Sequence, residues 1–508
     1  MSALYNLGDL VNRSKDPSAI ALIDLNDANG VREYTHGDLD KAACAVARGL
    51  RARDLKPGER IAILSSNRVE FLTAYLGTMR AGMVSVPINY KFPNETVSYI
   101  LQDADIKMIF ADAERASRAP SAIPVVTFGD EGPNGFDAFC DPGAFETIRP
   151  APGEVAMFLY TSGSTGRPKG VPLTHEGHLW VVNVRIDPPP DADHRVLVAA
   201  PLYHMNGLAM CKLAIGAHLT IILLPQFTAK GYIEAIGKYG VTWLTSVPTM
   251  LAMVAREREL LEKTDLSSVR IARMGSAPVS QKLYDDLRDI FPNALITNGY
   301  GTTEGGPSVY GVHPDGLPQP GMSIGYPRPD CDARLVDSDD LDADQGVLQC
   351  RNPSVMPGYH NLPEKTAEVL SEDGWYDTGD IMRRDEDGFH YFVGRADDMF
   401  NCGGENVYPA EVEKMLERHP DIEQACVVPV PDEIKGYKPS AFVVPMDGKQ
   451  LDEQSVKAFA LANGPAYQHP RQVVFMESLP LTGTNKIDRK QLTERATATA
   501  AEMQRETA

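Results

Sequence analysis

Tyr160-Thr-Ser-Gly-Ser-Thr-Gly-Arg-Pro-Lys-Gly170 follows directly on the apolar run Val155 to Leu159 and precedes a helix opening near Thr174. The run has the length and texture of a buried strand. Its three following glycines permit tight backbone with positive φ, so consecutive N–H groups can turn toward one point. Around that point stand the hydroxyls of Thr161, Ser162, Ser164 and Thr165, and Lys169 adds a mobile positive charge. A connecting linker has no use for four hydroxyls and a cation placed straight after a strand. The grouping suits phosphate oxygens, although the spacing is not the GxxxxGK[ST] of a Walker loop.

Outward from this loop, short apolar runs alternate with helical patterns. On its N-terminal side, Arg60 to Leu64 reads as a strand, Val69 to Met79 as a helix and Val84 to Ile88 as the next strand, with further strands at Ile106 to Phe110 and Val125 to Phe128. On its C-terminal side a second series runs through Val196 to Ala199, Leu219 to Leu224, Val241 to Leu244, Val269 to Met274 and Ala294 to Ile296, with helices at Pro248 to Arg256 and Gln281 to Ile290. Such alternation predicts mostly parallel sheets covered by helices. From about Gly321 to Gly394 the chain turns to short strands and Asp/Gly/Pro-rich turns, a small β unit. Beyond Asn401, strands at Ala425 to Pro429, Ala441 to Val444 and Val473 to Met476 with a helix at Gln454 to Leu461 make a compact α+β domain. The Ala/Thr-rich tail from Arg495 extends a helix or frays.

The 508 residues suffice for about three domains or subdomains. A formal charge of −20 argues against a general binder of nucleic acid or anionic membrane, which needs a cationic footprint. A small anionic substrate stays possible, since a local Lys or Arg outweighs charges beyond a screening length of about 10 Å. The seven cysteines are scattered singly, without CxxC or Cys/His spacing, which excludes a disulfide scaffold or structural zinc site. No apolar run approaches the roughly 18 residues of a membrane span, and MSALYNLGDL has no signal-peptide pattern. The expectation is a reduced, cytoplasmic protein.

The phosphate-type loop resembles the signature of the adenylate-forming superfamily, which comprises acyl- and aryl-CoA synthetases, peptide-synthetase adenylation domains and luciferases. The family's other motifs follow in order: Pro201-Leu-Tyr-His-Met-Asn-Gly207, Gly299-Tyr-Gly-Thr-Thr-Glu304, Tyr376-Asp-Thr-Gly-Asp380, Gly394-Arg-Ala-Asp-Asp398, Gly403-Gly-Glu-Asn406 and Pro480-Leu-Thr-Gly-Thr-Asn-Lys486. The resemblance implies an α/β fold. Two α/β sheet subdomains and a small distorted β-barrel form a large N-terminal domain (1–396), and a small mobile α+β domain (397–508) carries a catalytic lysine.

It also assigns roles. ATP and AMP would meet Thr161, Ser162, Gly163, Ser164, Thr165, Lys169, Gly275, Ala277, Asn298, Gly299, Tyr300, Gly301, Thr303, Asp380, Arg395 and Lys486. Glu304 would hold Mg²⁺, since a carboxylate beside phosphates needs a cation between them. Asp380 would accept from the ribose hydroxyls. Lys486 would stabilise charge in the adenylation transition state, with Thr161, His204 and Glu304 also at the reacting centre. The acyl pocket would draw on His204, Asn206, Ser246, Met250, Gly275, Gly305 and Gly306. Asp397 would be the hinge. Gly403 and Gly404 would line a thiol tunnel, with Tyr467 and Arg471 taking CoA. One departure stands in the small domain, where Gly436-Tyr-Lys-Pro439 carries Tyr437 in place of an acid.

No acid stands at Tyr203-His204-Met205 to hold a substrate ammonium, which speaks against α-amino acids. The pocket segments hold no Lys or Arg for a second carboxylate, Arg273 lying two residues before Gly275. The pocket therefore reads as apolar, suited to an aryl or medium-to-long-chain acid. The implied partners are ATP, CoA and that acid; the oligomeric state stays open, a homodimer included. Alternatives are adenylation followed by transfer to an acyl carrier protein, a luciferase-like use of the adenylate, or a non-catalytic adenylate binder.

Overall fold

A computed structural model describes residues 4–26, 30–161, 167–432, 434–482 and 486–507, with side chains described to residue 500. The phosphate-loop positions Ser162, Gly163, Ser164 and Thr165 lie outside the described residues.

Two large sheets form the N-terminal part. The first has six strands in the order Val125–Phe128, Ile106–Asp112, Arg60–Leu64, Val84–Pro87, Val155–Thr161, Lys169–Thr174. All pairings are parallel except the last, where Thr161 faces Lys169 across an antiparallel pair. The strand Lys169–Thr174 is absent from the sequence reading, because Gly170 and Pro172 argue against a strand. The exception is geometric: this strand is the sheet's edge, where proline's missing N–H costs no ladder bond. Thr174 then caps the helix His175–Ile186, its hydroxyl accepting from the Gly177 N–H.

The second sheet has seven strands, ordered Leu295–Gly299, Ile271–Gly275, Trp243–Ser246, Arg195–Val198, Thr220–Leu223, Ile20–Asp24, Arg32–Thr35. The first six run parallel, and Arg32–Thr35 closes the edge antiparallel. The strands Ile20–Asp24 and Arg32–Thr35 are absent from the sequence reading; they pair with each other locally, and Ile20–Asp24 alone joins them to the sheet through the distant Thr220–Leu223. Between the sheets a shared core takes side chains from both, together with the helices His36–Arg51, Val69–Arg80 and Met205–Ala217. Arg80 is fully buried there, and its guanidinium is neutralised by Asp40 at 2.8 Å and Asp9 at 3.3 Å.

The β unit is an open four-stranded antiparallel sheet, Asp332–Val336, Gln345–Arg351, Tyr376–Arg384, His390–Arg395. The pair Tyr310–Gly311 and Tyr326–Pro327 lies beside it, linked through a bridge between Gly325 and His390. The C-terminal part has its own mixed sheet. Glu405–Val407, Phe400–Cys402, Gly436–Pro445 and Ile422–Asp432 are antiparallel, and Gln472–Phe475 joins parallel to Gly436–Pro445. The helices Pro409–Leu416, Glu453–Asn463 and Arg489–Thr507 flank it. Separate apolar clusters fill its two faces, so this part has its own core.

Candidate active site

Parallel sheets place ligand sites beyond the carboxyl ends of their strands. Here those ends open into one cleft of about 2140 Å³, several times the volume of a single drug-sized ligand. Ile271–Gly275 and Leu295–Gly299 end on paired glycines, Gly275 opposite Gly299. A Cβ on Gly275 would stand 2.9 Å from the Gly299 carbonyl oxygen, so side chains are excluded where the two strand ends meet the cleft. The next residue, Ser276, holds φ +68, an uncommon conformation for a side-chain-bearing residue and a sign of local constraint at a site.

Most motif residues converge on this cleft. Thr161, Lys169, His204, Asn206, Met250, Gly275, Ala277, Asn298, Gly299, Tyr300, Gly301, Thr303, Glu304, Asp380, Arg395, Asp397 and Lys486 all line it. Glu304 is fixed through its backbone, whose carbonyl accepts from the Met356 N–H at 2.8 Å. Its carboxylate accepts from the Thr161 hydroxyl at 3.3 Å and the Tyr359 hydroxyl at 3.1 Å. Lys169 in turn donates to the Tyr359 oxygen at 3.0 Å and lies over its ring. Tyr359 thus joins the loop cation to the Glu304 carboxylate. It escaped the sequence reading because a lone Tyr in the turn Met356-Pro-Gly-Tyr359 carries no spacing signal.

Asp380 is buried where Tyr376–Arg384 pairs with His390–Arg395. It accepts from the Tyr300 hydroxyl at 2.5 Å and from Arg395 at 2.9 Å. Burial raises its pKa, opposed by the Arg395 charge and the Tyr300 hydrogen bond. Arg395 also donates to Asp397 at 2.9 Å, just beyond the end of the strand His390–Arg395.

Lys486, from the C-terminal part, also lines the cleft. The Thr482 N–H donates to the Lys486 carbonyl at 2.7 Å, and Leu481 bridges Ile487, so residues 481–482 and 486–487 lie side by side. Just beyond, Arg489 grips Glu413 with two contacts of 2.6 Å, anchoring that stretch on the helix Pro409–Leu416. The Lys486 side chain keeps solvent access inside the open cleft, although protein surrounds it closely enough for desolvation to lower its pKa. Asp380 and Glu304 counter that shift and Arg395 adds to it, so the ammonium stands within the field of all three. The C-terminal part is held in this position by Lys414, which donates to the Phe392 carbonyl at 2.7 Å, and by an ion pair between Arg256 and Glu423.

His204 precedes the helix Met205–Ala217, and its ring packs edge-on against Tyr203. Burial, with Lys486 and Lys91 nearby, lowers its pKa to about 3, so a neutral imidazole faces the cleft at neutral pH. Its Nε2 is buried without a hydrogen-bond partner among the described residues.

Three expected acyl-pocket residues lie outside the lining. Ser246 alternates with Thr245 and Val247, which do line the cleft, and its hydroxyl pairs instead with Tyr232 at 2.8 Å. Gly305 and Gly306 turn toward the β unit. A Cβ on Gly305 would meet the Tyr376 ring at 3.0 Å, and Gly306, with φ +85, leaves room for Ser354. The CoA candidates also stand away from the cleft. Gly403 and Gly404 form the turn between Phe400–Cys402 and Glu405–Val407, Tyr467 packs on the small core, and the Arg471 side chain is exposed. The pocket is not uniformly apolar either: Arg185, from the last turn of His175–Ile186, and Arg273 both line it. Helix packing brings Arg185 in from outside the four pocket segments, and strand alternation turns Arg273 inward.

The family profile described as AMP-binding enzyme matches residues 11–360, and that of the AMP-binding enzyme C-terminal domain matches 411–486. The chain belongs to the AMP-binding enzyme family. It is 33% identical to a feruloyl-CoA synthase of an Amycolatopsis species, over 90% of this chain and 93% of that protein. It is 31% identical to a fatty acid–[acyl-carrier-protein] ligase of Streptomyces coeruleorubidus, over 91% and 92% of the two chains. The crystal structure of an anthranilate CoA ligase in complex with anthranoyl-AMP superposes with a TM-score of 0.89, covering 99% of each chain at 24% identity, which establishes the shared fold.

Proposed function

We propose that this protein is an AMP-forming acyl-CoA synthetase. One observation carries the reading: Lys486, borne by the C-terminal part, stands in one cleft with Glu304, Asp380 and Arg395 of the N-terminal part. In the first step a carboxylate oxygen of the acid attacks the α-phosphorus of ATP, and the bond to pyrophosphate breaks. Negative charge accumulates on the phosphoryl oxygens, and the Lys486 ammonium stabilises it. Asp380 holds the ribose hydroxyls, Tyr300 lies against the adenine, and Thr161, Lys169 and Thr303 contact phosphate. His204, neutral, stands where the acid enters without competing with Lys486 for the carboxylate.

Glu304 and the Thr161 hydroxyl offer hard oxygen donors, the set that suits Mg²⁺ when phosphates and water complete its shell. Held by these oxygens, the cation would supply charge that offsets the phosphates.

In the second step the CoA thiolate attacks the acyl carbon, the C–O bond breaks and AMP leaves. Gly403, Gly404, Tyr467 and Arg471 serve this step, and they lie away from the cleft while Lys486 faces it. The unit 397–508 therefore turns on Asp397 relative to 1–396 between the steps, exchanging one set for the other. The acid is an aryl or longer acyl carboxylate, in keeping with the feruloyl-CoA synthase relative. The carrier-protein ligase relative supports the second reading, in which the acyl group passes to a phosphopantetheinyl arm. The free cysteines suit a reducing, cytoplasmic setting.

Pyrophosphate release across a panel of carboxylic acids, with free CoA or a phosphopantetheinylated carrier as acceptor, tests the reading. Acid-dependent release with thioester on free CoA is expected. Thioester on the carrier alone would favour the second reading, and no release with any acid would overturn both.

A further inference from the structure

The cations that line the cleft differ in their partners. Lys486 has Asp380 and Glu304 as counter-charges. Arg185 and Arg273 also line the wall, and neither has a hydrogen bond or ion pair among the described residues. Nη1 of Arg185 is buried and unpartnered. The charges acting on Arg185 are Arg273 and Arg328, both cations, and Arg328 already has Asp330 at 3.0 Å. Behind it the fully buried Lys212 contacts His178 at 3.2 Å and feels the Arg185 charge without an acid to answer it.

Buried arginines are ordinarily paired, because a desolvated cation without a counter-charge is costly. Arg80 in this chain obeys that rule with two aspartates. Arg185 and Arg273, half-buried on the wall of a cavity, have no such partner among the described residues, and one Arg185 nitrogen is fully buried. The backbone makes room for the arrangement. A Cβ on Gly299 would lie 2.6 Å from Nη2 of Arg273, so the guanidinium occupies space that only glycine leaves open, beside the Gly299-Tyr300 turn. Burial drives the pKa of Arg185 down to about 9 and that of Lys212 to about 7, with neighbouring cations adding to both. Arg185 remains charged at neutral pH, and an anion placed against it would relieve the strain on all three groups.

We infer that the acyl pocket takes a carboxylic acid bearing a second anionic group, a dicarboxylic acid, whose far carboxylate is held by Arg185 and Arg273. The inference rests on the acid-activating reading above and narrows it: the near carboxylate reacts at the Lys486 end and the far one anchors the chain. A guanidinium fork matches a carboxylate with two hydrogen bonds, which fixes the length and direction of the acid as well as its charge.

The test compares α,ω-dicarboxylates and benzene dicarboxylates, each with its monomethyl ester, on the wild-type chain with ATP, Mg²⁺ and CoA. At the matching length, kcat/KM for the diacid should exceed that for its ester by ~30-fold or more, the factor expected from one charge-assisted hydrogen bond pair. In Arg185→Gln and Arg273→Gln that ratio should collapse toward unity. A wild-type preference for the esters at every length would overturn the inference while leaving the ligase reading intact, as would a ratio unaltered in both variants. Melting-temperature shifts in the presence of AMP score the same acid pairs without turnover. Larger wild-type shifts from the diacids support the inference, and equal shifts overturn it, whether or not any acid is activated or either variant folds. Absence of turnover with every acid, alongside diacid-selective shifts, would overturn the ligase reading alone.

Discussion

Replacing Lys486 by alanine removes a cation that the C-terminal part brings into the field of Asp380 and Glu304. A unit charge about 4 Å from a developing phosphoryl charge is worth about 4 kcal/mol at an effective dielectric near 20. Solvent reaches this side chain, and Asp380 and Glu304 share its field, so the usable part is smaller. About 3 kcal/mol remains, in the range measured for loss of a single transition-state donor, and at 1.36 kcal/mol per decade this slows adenylation by ~10²-fold. The assay is acid-dependent pyrophosphate release for the first step, set against thioester formation from synthetic acyl-AMP for the second. The first should fall by that factor and the second should change little, because the proposed second step turns another face of the C-terminal part to the cleft. Loss of the Lys486 charge should also let the His204 pKa rise from about 3, which an imidazole titration by NMR reads independently. Equal losses in both half-reactions would refute the reasoning.

Asp397→Pro fixes φ near −65° and restricts Ala396, so it should retain one half-reaction and lose the other by orders of magnitude; two nearly wild-type rates would place the pivot elsewhere. Gly305→Leu should lower activity by a similar factor for short and long acids, since its side chain would strike Tyr376 and not the acyl chain; a penalty rising with chain length would return Gly305 to the pocket. Glu417, beside the Ala425 N–H, has its pKa raised to about 8, first by burial. The native state therefore keeps a proton between pH 4.5 and about 8 that the unfolded chain has lost, and stability falls as pH rises through that window. Glu417→Gln should flatten this slope in denaturant melts at a series of pH values; an unchanged slope would assign it to another group.

The large elements were legible because each carries its own period. Arg60–Leu64 and Val84–Pro87 are apolar runs bounded by turn signals, and the sheet places both as parallel neighbours. Ile20–Asp24 was not, since its place in the sheet depends on pairing with Thr220–Leu223, about 200 residues away, as well as on its short local partner Arg32–Thr35. The same division holds at the site. Glu304, Asp380 and Lys486 belong to ordered motifs and meet in space, while Tyr359 and Arg185 arrive from segments with no motif, through a turn and a helix end. Ser246, Gly305 and Gly306 show the converse error. Proximity in sequence to a pocket segment does not determine which way a side chain points, and strand alternation or one positive φ reverses it.

The central claim is that acid and ATP react in this cleft before any thiol is needed. Isotope exchange between pyrophosphate and ATP, followed in the absence of CoA with carboxylic acids added one at a time, tests it most directly. Exchange that requires both an accepted acid and Mg²⁺, and that falls ~10²-fold in Lys486→Ala, is the result predicted. Exchange that is absent for every acid until CoA is supplied would contradict it.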